Sequence, residues 1–220
     1  MKKLAILSLV FVGLLIFALS GCSNNDTFTE KTYSSGETEI EKIFIQVADR
    51  ELEISASKDD KIHIDYFDGE REYLDISVSE SKELTVKLVS NKDWTHYIGA
   101  KPYAKYRKIK IEIPDNLIAS FSASTTNENI TVTSLSFTEN VSLDTNGGDI
   151  ACERITVGKS IKLKAKDGNI AGSIIGGWDD FSISCKIKKG DCNLPTLKEG
   201  GDKSFYADCN NGNINIEFVK

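Results

Sequence analysis

"IKLKAKDGNIAG", residues 161–172, is the stretch of sequence that decides the fold. Apolar or small residues stand at its first, third and fifth positions, and a turn with a glycine and a second alternating run follow. Alternation with a period of two is typical of strands that bury one face, and glycine suits a turn because it tolerates positive φ. Taken alone, the stretch could be a hairpin, a metal-binding loop or one copy of a repeat.

The same pattern returns at regular intervals through the second half of the chain. Copies begin at residues 121, 141, 161, 183 and 205, so that the spacing is 20 or 22 residues. The turns are centred on Glu128, Gly148, Gly168, Gly190 and Gly212, and the next residues are Asn129, Asp149, Asn169, Asp191 and Asn213. A hairpin does not explain the return of whole units, whereas a solenoid does, because equivalent strands of successive coils pair in parallel. We therefore predict an all-β solenoid with 20–22 residues per coil and with the turn glycines along one edge.

The first half of the chain has a related but less regular rhythm. Its candidate strands are Ile43–Val47, Leu52–Ala56, Ile62–Tyr66, Leu74–Val78, Leu84–Leu88 and Ile109–Ile113. Spacings of 19 to 22 residues between some of these strands are close to the later period. We predict that residues 40–220 form one solenoid, less regular over 40–116 and with clear repeats over 117–220. A separate small β-sandwich in the first half is the alternative.

The N-terminus has the features of a lipoprotein signal peptide. Lys2 and Lys3 precede an apolar run at residues 4–19, which is short for a membrane-spanning helix. The sequence "LSGC" at residues 19–22 directly follows and resembles the lipobox of bacterial lipoproteins. This resemblance implies removal of residues 1–21, acylation of Cys22, for example with palmitate, and anchoring at the extracytoplasmic face of the cell membrane. The alternative is an ordinary secretory signal followed by a chance cysteine.

Residues 22–39 are polar after the cysteine and carry little periodicity, so we expect a flexible tether between the lipid and the folded domain. The formal net charge of the chain is −6, and it would be −8 without Lys2 and Lys3. An acidic balance argues against nonspecific binding of nucleic acid. The expected partners are therefore the membrane, through the lipid, and a ligand outside it.

The stretch "IKIEIPDN" at residues 109–116 connects the first half to the repeats. Together with the lipobox and the turn repeats, it resembles the putative-adhesin domain family of bacterial envelope proteins, a family of unknown function. The resemblance covers residues 40–220 and implies a right-handed parallel β-helix at the cell surface. It supplies no catalytic residue and no cofactor that could be assigned to this chain.

One long segment interrupts the strand rhythm, "NKDWTHYIGAKPYAKYR" at residues 91–107. It contains four aromatic residues and three cations that could meet a glycan: Trp94, Tyr97, Lys101, Tyr103, Lys105, Tyr106 and Arg107. Aromatic rings can stack on sugars, and long loops on rigid scaffolds often carry binding residues. The same aromatics could instead cover the core. Trp178, in a later turn, is a second candidate for binding.

The residue types that carry catalysis or bind metal are sparse in this sequence. The Asn/Asp column after the turns provides one side chain per coil, which favours a ladder that caps backbone groups over a calcium site. The adjacent pair Asp179 and Asp180 follows a turn, where solvated acids are expected. No nucleophile elbow, zinc-protease helix or phosphate loop accompanies the two histidines, His63 and His96.

Four cysteines follow Cys22, and in the repeat register each takes an inward position. Cys185 aligns with Leu143 and Leu163, and Cys209 aligns with Ala165. We predict that they are small core residues. An extracytoplasmic location permits disulfides, and Cys185 with Cys209 is the pair that the repeat register brings nearest.

These observations favour a lipid-anchored, noncatalytic binding module that recognises a cell-wall glycan, a host glycan or an envelope protein. A carbohydrate-active enzyme on a β-helix scaffold is the first alternative, because polysaccharide lyases and hydrolases use that scaffold. A structural or signalling protein of the envelope, without a glycan ligand, is the second. We expect no metal and no cofactor.

Overall fold

The computed structural model describes residues 27–91 and 101–220. This part of the chain is all-β, and its helical residues are confined to two short 3₁₀ helices, Ala104–Arg107 and Trp178–Asp180. The strands are β1 Phe28–Ser34, β2 Lys42–Gln46, β3 Glu51–Ala56, β4 His63–Gly69, β5 Glu72–Val78, β6 Glu83–Ser90, β7 Lys108–Ile113, β8 Ser120–Thr125, β9 Ile130–Thr133, β10 Ser136–Phe137, β11 Asn140–Thr145, β12 Ile150–Val157, β13 Ser160–Asp167, β14 Ile170–Ile175, β15 Phe181–Lys189, β16 Leu197–Lys198, β17 Lys203–Asn211 and β18 Ile214–Val219. The prediction of an all-β chain is confirmed.

The strands form two sheets that share one core. The first has the order β1-β4-β7-β3-β9-β12-β14-β18, and β10 joins it beside β12. The second has the order β16-β15-β17-β13-β11-β8-β2-β6-β5. Each repeat contributes one strand to each sheet, so the period-two alternation buries the inner face of both strands.

The central repeats stack in the predicted register. In the second sheet, Leu143 pairs in parallel with Ala123 and Leu163, each 20 residues away. In the first sheet, Ile150 pairs in the same way with Ile130 and Ile170. All six side chains are buried, and full burial of a large aliphatic side chain contributes about 1.5–3 kcal/mol. Stacking of successive units is therefore confirmed for the copies that begin at 121, 141 and 161.

The last two copies do not stack in sequence order. β17 lies between β13 and β15, so that Ala207 pairs with Leu163 on one side and with Cys185 on the other. In the first sheet β18 likewise pairs with β14, and Cys192 bridges to Ile214. The unit that begins at residue 205 is thus inserted before the unit that begins at 183. The inward-facing residues of the two units occupy equivalent positions, so exchanging the order of the units still places apolar side chains in the core.

The first half continues the same stack. β2 pairs in parallel with β8, and β3 pairs in parallel with β9. On the other side of this coil lie β6 and β7, again in parallel register. The six strands predicted in this half are all present, and the sheets run through it without a break. The strand pairing therefore contradicts the alternative of a separate β-sandwich in the first half.

Antiparallel strands occur at both ends of the stack. β4 pairs antiparallel with β7, β5 with β6, β1 with β4, and the short β16 with β15. Both sheets are consequently mixed, and an exclusively parallel helix is not observed. The prediction of a flexible tether through residue 39 is wrong for Phe28–Ser34, which forms an edge strand along the whole of β4. Its aromatic and β-branched residues favour an extended strand although its composition is polar.

The turn glycines lie along one edge, as predicted. A Cβ added to Gly148 would lie 2.0 Å from the Glu128 carbonyl oxygen, and one added to Gly168 would lie 2.1 Å from the Gly148 oxygen. The series continues from Gly168 to Gly212 and from Gly212 to Gly190. The predicted reason holds only in part, because φ is positive at Gly212 and Gly190 (149° and 115°) but not at Gly148 or Gly168. At those two positions glycine is needed because the coils approach so closely.

The Asn/Asp column forms a hydrogen-bonded ladder beside the glycines. The backbone amide of Asp149 donates to Asn129 Oδ1 at 2.9 Å, and the amide of Asn169 donates to Asp149 Oδ1 at 2.6 Å. Asn213 continues the series onto Asn169, and Asp191 continues it onto Asn213, both at 2.9 Å. The prediction of a turn ladder that caps backbone groups is confirmed. These side-chain oxygens therefore already accept hydrogen bonds from backbone amides.

Candidate binding site

The second part of the long segment between β6 and β7 lies against the first sheet. Trp94, Tyr97 and His96 belong to residues 92–100, which lie outside the described residues. The rest of the segment runs from Lys101 into the 3₁₀ helix Ala104–Arg107 and then directly into β7. Its position is therefore fixed by a strand of the solenoid.

Two of the predicted binding cations attach this segment to neighbouring turns. Lys101 Nζ lies 3.0 Å from Asp49 Oδ1 and 3.9 Å from Glu128 Oε1. Arg107 forms an ion pair with the same Glu128, and its Nε donates to the Pro102 carbonyl at 3.0 Å. Lys101 and Arg107 therefore hold the segment in place, and the structure assigns them a structural contact that the sequence did not predict.

The carboxylate of Asp49 shows the electrostatic effect of this attachment. Desolvation raises its pKa, but hydrogen bonds from Asn127 and Lys101 outweigh that effect. The pKa of Asp49 consequently lies below its usual value. The charged form is thus favoured in the folded protein, and the pairing with Lys101 is present at neutral pH.

Tyr106 and Tyr103 have different surroundings. Tyr106 is half-buried, stacks on Phe28 with ring centroids 4.7 Å apart and meets the edge of Phe67 at 5.3 Å. It packs against aromatic residues on the outer surface of the sheet. Tyr103 is 78% exposed and touches Tyr106 at a centroid distance of 6.4 Å. Lys105 is exposed and places its Nζ 4.5 Å above the Tyr106 ring.

A groove of about 520 Å³ lies beside these residues on the outer face of the first sheet. Its walls combine aromatic and charged side chains from β1, β3, β4 and β7 with the start of the 3₁₀ helix: Glu30, Glu51, Asp65, Tyr66, Phe67, Ala104, Lys105, Lys108 and Lys110. Three lysines face three carboxylates, so the formal charge of the lining is balanced. The groove is therefore suited to a ligand with little net charge.

The charges in the groove are paired to different degrees. Lys108 Nζ lies 2.5 Å from Glu53 Oε1 and 3.7 Å from Glu51 Oε2. The hydrogen bond to Glu53 is the main reason that the pKa of Lys108 is raised. Lys105 and Lys110 are exposed, and Lys110 faces Asp65 across the antiparallel pair of β4 and β7. Lys108 is thus engaged by carboxylates at the base of the groove, while Lys105 and Lys110 are accessible to a ligand.

The sequence did not identify the aromatic residues of β4 as part of a site. Tyr66 and Phe67 are adjacent in "IDYF", so they cannot both follow the inward alternation of a strand. That irregularity was a usable signal for an aromatic residue on the outer face. Tyr66 lies on the same strand face as the buried Ile64 and packs against the core, so the aromatic residue on the outer face is Phe67. Desolvation raises the pKa of Tyr66, in agreement with that packing.

Trp178 lies at the opposite end of the sheet order, in the 3₁₀ helix before β15. It is 43% exposed, meets Phe218 edge to face at 5.5 Å and has Lys198 Nζ 5.7 Å from its ring. The structure does not bring it together with the segment at 101–107. Asp180 beside it accepts a hydrogen bond from the Gly177 amide at 2.7 Å, which confirms a turn role for that acid.

The described residues contain no group of three or more His, Cys, Asp or Glu side chains placed to hold a metal ion. His63, the first residue of β4, pairs through Nε2 with Oδ1 of Asp59 in the preceding loop at 2.9 Å. None of the helices within residues 27–91 and 101–220 is long and apolar enough to cross a membrane.

The cysteines occupy the predicted core columns. Cys152, Cys185 and Cys209 are buried, whereas Cys192 is half-buried. Desolvation raises the pKa of Cys152 to about 12, so its thiol remains protonated. The pair in contact is Cys185 and Cys192, with the sulfur atoms 2.9 Å apart. Cys209, which the repeat register favoured as the partner of Cys185, instead directs its thiol to the Gly168 carbonyl at 3.3 Å.

Comparison with known proteins agrees with this architecture. Residues 40–171 match the sequence model of the family described as Toastrack DUF4097. A putative cell adhesion protein from Clostridium sporogenes has a similar structure, with a TM-score of 0.58, 12% identity, and coverage of 89% of this chain and 100% of that chain. A putative adhesin from Bacteroides fragilis has a TM-score of 0.35 at 14% identity, covering 88% of this chain and 97% of its own. No curated protein shows significant sequence similarity to the chain.

Proposed function

Since this chain belongs to the Toastrack DUF4097 family, whose sequence model spans more than half of it, we propose that it is a noncatalytic binding module of the cell surface. Its ligand in this proposal is a neutral saccharide, and its site is the groove beside Phe67 and Lys105. The family relationship supplies the fold but no activity. The choice of ligand therefore depends on the chemistry of the groove.

The observation that carries the proposal is the combination of aromatic rings, the half-buried Phe67 and the exposed Tyr103, with balanced charges on a rigid face. Sugar rings pack against aromatic faces, and their hydroxyl groups bond to both carboxylates and ammonium groups. Lys105 and Lys110 offer donors, while Asp65 and Glu30 offer acceptors, within one lining. A strongly anionic polymer would meet the three carboxylates of this groove, which disfavours it.

The exposed ring of Tyr103 extends this surface. It stands next to the groove on a segment that Lys101 and Arg107 attach to the solenoid, so little ordering would be needed on binding. The Clostridium sporogenes protein is described as a putative cell adhesion protein, and a surface role for this chain agrees with that description.

The lipid anchor is a second element of the proposal. "LSGC" at residues 19–22 supports acylation of Cys22, which would place the domain at the extracytoplasmic face of the cell membrane. Two or more acyl chains give stable membrane attachment, because each buried CH₂ contributes about 0.8 kcal/mol. We expect the wild-type chain to partition with membranes and a Cys22→Ser variant to be released. Equal retention of both, with no acyl group found by mass spectrometry, would contradict this element.

The winding of the coil is the third element. We propose a right-handed parallel solenoid for the repeats, because crossover connections between parallel strands of one sheet are right-handed in almost all proteins. β8 to β11 and β11 to β13 are such connections. An experimental structure with a left-handed path from β11 to β13 would contradict this assignment.

Binding to immobilised glycans tests the central proposal. We expect the chain from Ser23 onward to bind neutral oligosaccharides, and Phe67→Ala or Tyr103→Ala to weaken binding at least about tenfold, since each removes an aromatic surface beside the groove. Tyr73→Ala is the matched control, because Tyr73 is 40% exposed on β5 of the other sheet. Equal binding by all four proteins would exclude this groove as the site.

Two further outcomes would select another function. New reducing ends or unsaturated products after incubation with polysaccharides would show that the chain is a carbohydrate-active enzyme. A blank glycan array, combined with specific crosslinking to one envelope protein, would favour a structural or signalling role.

A further inference from the structure

The final coil at the C-terminal end of the stack contains two cysteines that face each other. Cys185 lies on β15, and Cys192 follows the turn at Gly190 and bridges to Ile214. Both side chains point into the interior of this one coil, and their sulfur atoms are in contact at 2.9 Å. Two cysteines separated by six residues are thus brought together by the turn of the coil.

We propose that Cys185 and Cys192 form a disulfide that closes the terminal coil. The bond would cross the inside of the coil from β15 to the segment after its turn. β15 is the last parallel strand of the second sheet, with only the two-residue β16 on its other side. A solenoid frays most readily at an end where the last coil has few pairing partners, so a covalent bond within that coil stabilises it most effectively there.

The oxidant in this proposal is a low-molecular-weight disulfide. Cys192 is the half-buried member, so its sulfur is the one that a solvent disulfide can reach. Its thiolate attacks one sulfur of the oxidant and releases the first thiol, which leaves a mixed disulfide on Cys192. Cys185 then loses its proton, attacks the Cys192 sulfur and releases the second thiol. Two cysteine thiols are thereby oxidised to one disulfide, and one disulfide is reduced to two thiols.

The order of these two attacks follows from the burial of Cys185. Desolvation raises the pKa of Cys185 to about 12, and its hydrogen bond with Cys192 adds to that effect. A thiol of this kind is a poor first nucleophile. It can still react once the mixed disulfide stands in contact with it.

The other two cysteines are placed less well for the same bond. In the pairing of β15 with β17, Cys185 lies opposite Ala207, and Cys209 lies opposite Ile187. Cys209 is thus displaced from Cys185 by two positions on the next coil, which exceeds the Cα separation of about 7 Å that a disulfide spans. Cys152 lies on β12, away from the terminal coil.

Peptide mapping of the full-length chain in detergent tests the proposal. Lys186, Lys188 and Lys189 lie between the two cysteines, so trypsin separates them unless a disulfide joins the peptides. After treatment with oxidised glutathione and blocking of free thiols, we expect Cys185 and Cys192 in one linked pair of peptides. Cys152 and Cys209 should be recovered blocked.

Two variants give matched controls. Cys209→Ser should retain the linked pair, and Cys192→Ser should lose it. In the wild type and in Cys209→Ser, oxidation should raise the melting temperature by about 5 °C, reversibly with dithiothreitol, because the bond restricts the unfolded chain. Linkage of Cys185 to Cys209, a link between two chains, or recovery of both cysteines unlinked after oxidation would overturn the proposal.

Discussion

Replacement of Gly168 by alanine should destabilise the fold through contact between coils. The added Cβ would lie 2.1 Å from the carbonyl oxygen of Gly148 and 2.6 Å from its carbonyl carbon. Ordinary contact begins at 3.4 Å, so the two turns would have to separate by more than 1 Å. Both neighbours of the clash are backbone atoms, which cannot rotate away as a flexible side chain can.

The size of the effect follows from the bonds around this turn. The Gly168 amide donates to Asn211 O at 3.0 Å, Asn169 donates to Asp149 Oδ1 at 2.6 Å, and Ile150 donates to Asn169 O at 2.8 Å. Loss of two such bonds costs about 1 kcal/mol each, and overpacking adds about 1–3 kcal/mol. We expect a loss of about 3–5 kcal/mol in the free energy of unfolding. For a domain of this size, that corresponds to a melting temperature lower by about 6–20 °C.

Urea denaturation followed by circular dichroism measures this loss, and Gly177→Ala is the matched control. A Cβ on Gly177 would lie 3.4 Å from Asp180 Oδ2, and its φ of −71° suits any residue. The control should remain within about 0.5 kcal/mol of the wild type. A Gly168→Ala protein as stable as this control would refute the inference that close approach of the coils requires glycine.

Three other variants test contacts of the ladder and of the first coils. Asn169→Ala should lower the free energy of unfolding, measured by urea denaturation, by about 1–2 kcal/mol, because it removes the side-chain hydrogen bonds to Asn213 and to Asp149. The control Asn215→Ala, at an exposed position, should change the free energy of unfolding little. Desolvation raises the pKa of Asp49, but its hydrogen bonds lower the pKa further, so its stabilisation is present above about pH 4 and is lost as the pH falls through the folded-state pKa. Melting curves of wild type and Asp49→Asn should therefore converge below pH 4, and a constant difference would contradict this linkage. Arg50, 2% exposed, pairs with Glu72 at 2.9 Å, so Arg50→Ala should cost about 3–5 kcal/mol by urea denaturation, and a loss under 1 kcal/mol would show that the pair is dispensable.

The inward columns of the repeats could be predicted because they depend on local alternation. Residues such as Leu163 and Cys185 occupy equivalent positions in copies of nearly constant length, and burial of one strand face fixes which of them point inward. The ladder at Asn169 could be predicted for the same reason, since each turn presents one short polar side chain to the next coil. These features need only the repeat and the pleat of a strand.

The order of the last coils could not be predicted, because the repeat provides no information about it. Phe205 pairs with Ile161 on one side and with Ile183 on the other, and all three fit the same apolar column. A stack in sequence order would place equally apolar residues next to one another at this position of the core. The edge strand β1 was missed for a different reason, because its outward polar residues conceal a strand that is held mainly by backbone pairing with β4.

Segments that depart from the repeat explain where ligand binding and disulfide formation can take place on this molecule. Within the central coils every inward position fills the core and each Asn/Asp side chain of the ladder serves the backbone, so few groups are available for a ligand. At one end, antiparallel strands and the segment at 101–107 place aromatic residues on the outside of the sheet and form the groove. At the other end, the exchanged order makes β15 the last parallel strand of the second sheet and leaves Cys192 within reach of solvent. A solenoid needs unlike sequences at its ends because the ends lack neighbours, and in this chain those same sequences supply the groove and the cysteine pair.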